Sequence, residues 1–217
     1  MKIACIGYRD WSLNIYSKLK KTFPNYDFLI QGSKEQYNEV AINEYSPDLI
    51  LFYGWSNIVT KNIIEKYYCL MLHPSPLPYY RGGSPIQNQI IRGEVDSAVT
   101  IFRMDDGIDT GPIVKQQHLS LDGSLDEIFN RIEVIGFNLT REFLIEGINI
   151  KEQDHSLATY YPRLTPDRSE ITLKELAESP SSYLRNKIRM LQDPYPNPYI
   201  KTCDGKKLVI KVISIEN

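Results

Sequence analysis

The sequence of 217 residues is poor in the residues that build disulfide frameworks and metal sites, with three cysteines and three histidines. Cys5, Cys69 and Cys203 lie far apart and lack metal-ligand spacing, so we expect free thiols in a reducing compartment and no bound metal. No apolar run reaches the roughly 18 residues that cross a bilayer, and residues 1–6 show no signal-peptide pattern. These absences predict a cytoplasmic protein with no membrane partner.

Long basic segments are missing as well. Lys and Arg number 25 against 27 Asp and Glu, which gives a net charge of −2, and neighbouring basic residues form only pairs such as Lys20-Lys21. Proteins that bind nucleic acids usually carry a basic face that attracts phosphates. The composition therefore predicts no nucleic-acid partner.

Short apolar runs alternate with helix-like spacing over the first 150 residues. Runs at residues 2–6, 26–30, 47–53 and 68–72 are typical of strands, and segments between them, such as residues 34–45, are typical of helices. This alternation predicts an α/β fold with a Rossmann-like, mostly parallel sheet and helices on both faces. The turn after the first strand has a single glycine, Gly7, which argues against a dinucleotide-binding site.

The pattern changes near residue 150. Residues 124–148 are expected to form a long amphipathic helix with Ser124 as its N-cap. Beyond it we expect a helix at 171–192, broken around Pro180, and a β-hairpin at 199–215. This tail is too small to fold alone, so we predict a Rossmann-like catalytic domain over residues 1–150 and an extension over residues 151–217 packed on it. The exposed edge of the hairpin offers a route to a homodimer.

His73 and Asp109 are the candidate catalytic residues. His73 follows a buried strand and opens a loop stiffened by Pro74, Pro76 and Pro78, and Asp109 lies in a glycine-punctuated turn after the next strand. Open α/β sheets bind ligands at the carboxyl ends of their strands, where both residues are expected. A histidine and a carboxylate on two rigid turns suit a base and its orienting partner. The residues alone indicate a transferase or hydrolase acting on an unspecified small molecule.

The same two loops carry a resemblance to a known family. Leu72-His73-Pro74-Ser75-Pro76-Leu77-Pro78 with Tyr80-Arg81-Gly82, then Gly93, then Asp105-Asp106-Gly107-Ile108-Asp109-Thr110-Gly111, resemble the folate-dependent formyltransferases, and residues 158–199 extend the resemblance. That family moves a formyl group from N10-formyltetrahydrofolate to an amine.

Within the family, the chain is similar to bacterial sugar N-formyltransferases. The resemblance implies formylation of a nucleotide-linked amino sugar, such as a dTDP-amino-dideoxyhexose, for lipopolysaccharide O-antigen biosynthesis. The tRNA-modifying members carry a further C-terminal barrel, for which we expect 217 residues to leave no room. Three alternatives stay open: a phosphoribosylglycinamide-type formyltransferase, a hydrolase that passes the formyl group to water, and a non-catalytic module that binds folate or a sugar nucleotide.

The resemblance also implies roles for individual residues. His73 and Asp109 match the catalytic histidine and aspartate, but Met71 occupies the position of the usual asparagine, whose amide holds the formyl oxygen. The expected folate-binding residues are Tyr53, Trp55, Met104, Asp105 and Ile108. The expected substrate-binding residues are Arg9, Trp11, Ser75, Arg81, Gly82, Gln87, Arg163, Arg189, Tyr195 and Asn197.

Overall fold

The computed structural model describes residues 1–216, which form ten strands and seven α-helices. The strands are β1 (Lys2–Ile6), β2 (Asp27–Gln31), β3 (Leu49–Tyr53), β4 (Cys69–His73), β5 (Arg81–Gly82), β6 (Asp96–Arg103), β7 (Ile113–Ser120), β8 (Tyr160–Tyr161), β9 (Tyr199–Lys201) and β10 (Lys207–Val209). The helices are α1 (Asp10–Thr22), α2 (Glu39–Tyr45), α3 (Lys61–Lys66), α4 (Pro85–Ile91), α5 (Leu125–Glu146), α6 (Leu173–Glu178) and α7 (Ser181–Met190).

A six-stranded sheet in the order β2-β1-β3-β4-β6-β7 forms the centre of the fold. The first four strands in this order run parallel, and β6 and β7 pair antiparallel. In the sheet, β4 is followed by the antiparallel strand β6, and His73 at the carboxyl end of β4 lies opposite Thr100 in the middle of β6. The predicted α/β class with a mostly parallel sheet is confirmed.

Helices cover both faces of the sheet, because the strand side chains alternate between two apolar layers. Leu51 and Tyr53 of β3 pack in the larger cluster with α1 and α5, whereas Ile50 and Phe52 pack in the smaller cluster with α2 and α3. Gly136 lets α5 approach the sheet closely, since a Cβ atom there would lie 2.7 Å from a methyl carbon of Leu72.

Several predicted elements differ in their bounds. Helix α2 begins at Glu39 rather than at residue 34, because the side chain of Asn38 accepts hydrogen bonds from the N–H groups of Val40 and Ala41 and so caps the helix. The hairpin predicted at 199–215 is shorter, since its second strand ends at Val209. The predicted capping of α5 by Ser124 and the helix break at Pro180 are confirmed.

Residues 151–216 pack on the sheet-bearing part at several places. Strand β8 pairs parallel with the short strand β5, and α7 packs against α4. The division at residue 150 stays a prediction. No helix within residues 1–216 combines the length and apolar character needed to cross a membrane.

Candidate active site

His73 is the last residue of β4 and is 5% exposed. Strand alternation places it on the same face as Met71, which packs against the smaller apolar cluster. Its Nε2 atom lies 2.9 Å from the carbonyl oxygen of Tyr80. A carbonyl only accepts hydrogen bonds, so Nε2 must carry the hydrogen. In the neutral ring, Nδ1 is therefore the atom with the free lone pair.

Asp109 faces this free nitrogen. Its Oδ2 atom lies 3.5 Å from His73 Nδ1 and accepts a 2.7 Å hydrogen bond from the N–H of Gly82. Both side chains of the pair are less than 10% exposed, so little water screens their interaction. The carboxylate is held by the backbone at a distance that suits stabilisation of a positive charge on the imidazole.

The two residues that contact His73 have unusual backbone conformations. Tyr80 has φ of 59° and Asp109 has φ of 55°, in the left-handed region that residues other than glycine rarely adopt. Such conformations cost free energy and concentrate at functional sites. Here they aim the Tyr80 carbonyl and the Asp109 carboxylate at the imidazole.

Gln153, which the sequence analysis missed, connects Arg81 to the turn that bears Asp109. Its Nε2 atom donates to the carbonyls of Asp109 at 3.0 Å and of Gly111 at 2.6 Å, and its Oε1 atom accepts from Arg81 at 2.7 Å. Burial lowers the pKa of Arg81, and the nearby carboxylates of Asp109 and Asp105 partly oppose that shift. Gln153 lies in a segment without periodicity, so only its long-range contacts reveal its role.

The predicted folate-binding residues fall into two groups. Tyr53 is fully buried, stacks on Tyr16 and bonds through its hydroxyl to Thr140, so its ring faces the core and is removed from the predicted site. Burial raises the pKa of Tyr53 strongly. The alternation that buries Tyr53 also turns it away from the face of Met71 and His73.

Trp55 and Met104, by contrast, pack in the smaller cluster with Met71. The Nε1 atom of Trp55 is buried and has no hydrogen-bond partner within residues 1–216. Asp105 shapes the turn that bears Asp109, because its Oδ1 atom accepts hydrogen bonds from the N–H of Gly107 and the hydroxyl of Thr110. Ile108 in the same turn is 56% exposed. The assignment of these four residues to folate stays a prediction.

Three predicted substrate residues bond to backbone carbonyls. Ser75 donates to a carbonyl of its own loop at 2.9 Å, and Asn197 donates to the carbonyl of Leu191 at 3.1 Å. Arg189 donates to the carbonyls of Leu121 at 2.7 Å and of Gly123 at 3.0 Å. These contacts give all three side chains a structural role.

The other predicted substrate residues are distributed around the carboxyl edge of the sheet. Arg81 and Gly82 lie at the His73–Asp109 pair, as described above. Arg9 packs on the rings of Tyr8 and Tyr195, and Arg163 lies near the Tyr8 hydroxyl. Trp11 packs partly buried against the larger cluster, and the amide nitrogen of buried Gln87 has no partner within the described residues. No group of three metal-ligating side chains occurs within residues 1–216.

Comparison with known proteins identifies similar chains. Residues 16–136 match the family described as Formyl transferase. The methionyl-tRNA formyltransferase of Rickettsia typhi is 36% identical over 181 residues, which cover 81% of this chain and 57% of that protein. This chain therefore spans little more than half the length of that relative.

A solved structure similar to this chain belongs to the same kind of enzyme as the Rickettsia typhi relative. The methionyl-tRNA formyltransferase from Clostridium thermocellum is 31% identical with a TM-score of 0.86, and the match covers 97% of both chains. HypX from Aquifex aeolicus, solved with tetrahydrofolic acid, matches with a TM-score of 0.77 over 96% of this chain and 37% of that one. At 18% identity the HypX match shows a shared fold only.

The predicted action on a sugar nucleotide is wrong by this comparison. Two solved sugar N-formyltransferases are 20% and 15% identical, whereas the two chains described above at 36% and 31% identity are methionyl-tRNA formyltransferases. The length argument failed because this chain covers 97% of a solved methionyl-tRNA formyltransferase chain. The expectation of no nucleic-acid partner, which rested on net charge, loses its support for the same reason.

Proposed function

Because the chain belongs to the formyl transferase family, we propose that it transfers a formyl group from N10-formyltetrahydrofolate to the amine of methionyl-tRNA. Similarity above 30% to two methionyl-tRNA formyltransferases supports the acceptor. The observation that carries the chemistry is the buried pair of His73 and Asp109 at the carboxyl end of β4. The pair provides a base and a countercharge where α/β sheets bind substrates.

The residues beside this pair suit a folate. Trp55 and Met104 offer an apolar surface next to Met71, and the unpartnered Nε1–H of Trp55 is a buried donor that a pterin ring would satisfy. The turn from Asp105 to Asp109 adds backbone groups. Bound there, the folate supplies the activated formyl group.

His73 acts as the base in this proposal. An amine that becomes an amide gives up a proton, and Nδ1 is the free acceptor because Nε2 donates to Tyr80. The imidazolium that forms lies 3.5 Å from the Asp109 carboxylate, which stabilises its charge. His73 then passes the proton to the leaving nitrogen, so the ring is neutral again at the end of the turnover.

Met71 limits the rate. A thioether has no hydrogen to donate, so it does not replace the amide that family members place at this position. Loss of one donor to a developing oxyanion commonly lowers kcat by about 10²- to 10³-fold. We therefore expect a slow enzyme.

The test measures release of tetrahydrofolate from N10-formyltetrahydrofolate with and without methionyl-tRNA, for the wild type and His73→Gln. Turnover that requires methionyl-tRNA and is lost in His73→Gln is expected. Folate binding without turnover on methionyl-tRNA contradicts the proposal and identifies a binding module. Release at the same rate without methionyl-tRNA identifies a hydrolase.

A further inference from the structure

Three cationic side chains surround Tyr8, at some distance from the catalytic pair. The guanidinium of Arg9 lies 5.1 Å from the ring centre of Tyr8 and 5.1 Å from that of Tyr195, so it sits between two aromatic rings. The ammonium of Lys34 lies 5.0 Å from the Tyr8 ring. The side chain of Arg163 lies near the Tyr8 hydroxyl. We call Arg9, Lys34 and Arg163 the cation cluster.

No carboxylate neutralises the cation cluster within residues 1–216. None of its members takes part in the ion pairs of the described residues. The neighbouring carboxylate of Glu35 is exposed and bonds to its own backbone and to Ser33, and its attraction to Lys34 is the smallest of the effects on it. Like charges that converge without a counterion repel each other, so the arrangement costs free energy in the absence of a ligand.

The pKa of Tyr8 reflects this accumulated charge. Burial raises the pKa of the Tyr8 hydroxyl, but the hydrogen bond with Ser56, the charges of Arg9 and Lys34 and a polar contact with Arg163 lower it below its ordinary value. A lowered pKa means that the phenolate of Tyr8 is favoured, which indicates a positive electrostatic potential at its hydroxyl. The surroundings of Tyr8 therefore suit an anion.

The cation cluster faces the same edge of the sheet as His73. Arg9 and Lys34 follow the carboxyl ends of β1 and β2, and Arg9 packs against Gly54, which follows β3. Only β3 lies between β1 and β4 in the sheet, so two strand spacings of about 5 Å each separate the end of β1 from the strand that bears His73. A substrate that places its amine at His73 would therefore also bring a nearby anionic group within reach of the cation cluster.

We propose that the cation cluster binds a phosphate of the amine-bearing substrate, and that this phosphate belongs to the acceptor end of an RNA. The RNA assignment rests on the proposed function, whereas the anion site rests on the cluster itself. Arginine and lysine donors form charge-assisted hydrogen bonds with phosphate oxygens, and the rings of Tyr8 and Tyr195 hold the Arg9 guanidinium in place. Phosphate contacts of this kind position a nucleic acid without reading its sequence.

The first test measures melting temperature with pyrophosphate, ADP and the trinucleotide CCA as probes. The proteins are the wild type, Arg9→Gln, Arg9→Lys, Lys34→Gln and Arg163→Gln, with the exposed Arg141→Gln and Lys21→Gln as matched controls. We expect each probe to stabilise the wild type, the Arg9→Lys variant and both controls. Each charge-removing variant should bind the probes about tenfold more weakly or worse.

Melting temperatures without a probe separate this site from a structural role. Loss of one unneutralised cation relieves repulsion, so the ligand-free variants should melt no lower than the wild type. Variants that melt lower without a probe but keep the probe-induced shift would overturn the proposal. A wild type that none of the three probes stabilises would overturn it as well. Tighter binding of CCA than of ADP supports the RNA, and the reverse order overturns the RNA assignment.

The second test measures KM for methionyl-tRNA against salt concentration. Loss of one phosphate contact should lower the slope of log KM against log salt by about one. An unchanged slope in all three charge-removing variants would contradict the RNA contact. If methionyl-tRNA is not a substrate at all, the proposed function fails, and the probe-binding experiment still decides whether the anion site exists.

Discussion

The substitution Asp109→Asn isolates the charge of the carboxylate on which the proposed mechanism depends. Asparagine tolerates the left-handed backbone conformation of residue 109 about as well as aspartate does, so the turn is expected to keep its shape. The amide oxygen still accepts the hydrogen bond from Gly82. The change removes the countercharge and leaves a neutral amide oxygen opposite His73 Nδ1.

The expected loss follows from the distance of 3.5 Å between Asp109 Oδ2 and His73 Nδ1. Two unit charges at this separation attract each other by about 4 to 5 kcal/mol at an effective dielectric constant of about 20. The imidazolium exists only as the proton is transferred, so this attraction lowers the barrier rather than the energy of the bound substrate. Its loss should reduce kcat by about 10³-fold.

The assay measures kcat and KM for methionyl-tRNA at saturating N10-formyltetrahydrofolate, together with the melting temperature. Asp106→Asn is the matched control, because Asp106 lies in the same turn but is exposed and pairs with Lys61. We expect normal kcat in the control, and low kcat with little change in KM in Asp109→Asn. A variant at position 109 that keeps more than about a tenth of the wild-type kcat would refute the role of the charge.

Three further predictions concern the site and its scaffold. Met71→Asn supplies a hydrogen-bond donor on the same strand face as His73 and should raise kcat by about 10²-fold. It should also lower the melting temperature, because an amide replaces a thioether in an apolar cluster. An unchanged kcat would count against a missing oxyanion donor at this position. Gln153→Leu leaves the two turn carbonyls of Asp109 and Gly111 without their donor, and the buried guanidinium of Arg81 keeps only its bond to His155. Unfolding should therefore become easier by about 2 to 3 kcal/mol in denaturant titrations and kcat should fall, whereas the exposed Gln117→Leu should match the wild type. Hydrogen bonds with Ser124 lower the pKa of Glu127 below its ordinary value of 4.5. The stabilising effect of the Glu127 carboxylate is therefore present above pH 4.5 and is lost as the pH falls through the lowered pKa. The difference in melting temperature between the wild type and Glu127→Gln should shrink in acid, and a constant difference would contradict this.

Local patterns were sufficient for the layered architecture. Alternation of apolar runs with helical spacing predicts parallel strands with helices between them, since each element must bury one face or both. Ser124 followed by Glu127 marks the start of α5, because the capping box involves residues in one turn only. Local patterns also place His73 directly after a buried strand and Asp109 in a glycine-bounded turn.

Long-range packing decided the rest. Tyr53 looked available for a ligand because it ends a strand, but the phase of the pleat turns its ring into the core. The choice of acceptor was wrong because net charge and chain length average over the whole chain, whereas recognition depends on the local surface. The contacts of Gln153 with Arg81 and the convergence of Arg9, Lys34 and Arg163 on Tyr8 join residues far apart in the chain. No spacing rule predicts such contacts, because they exist only once the sheet and the C-terminal segment have packed together.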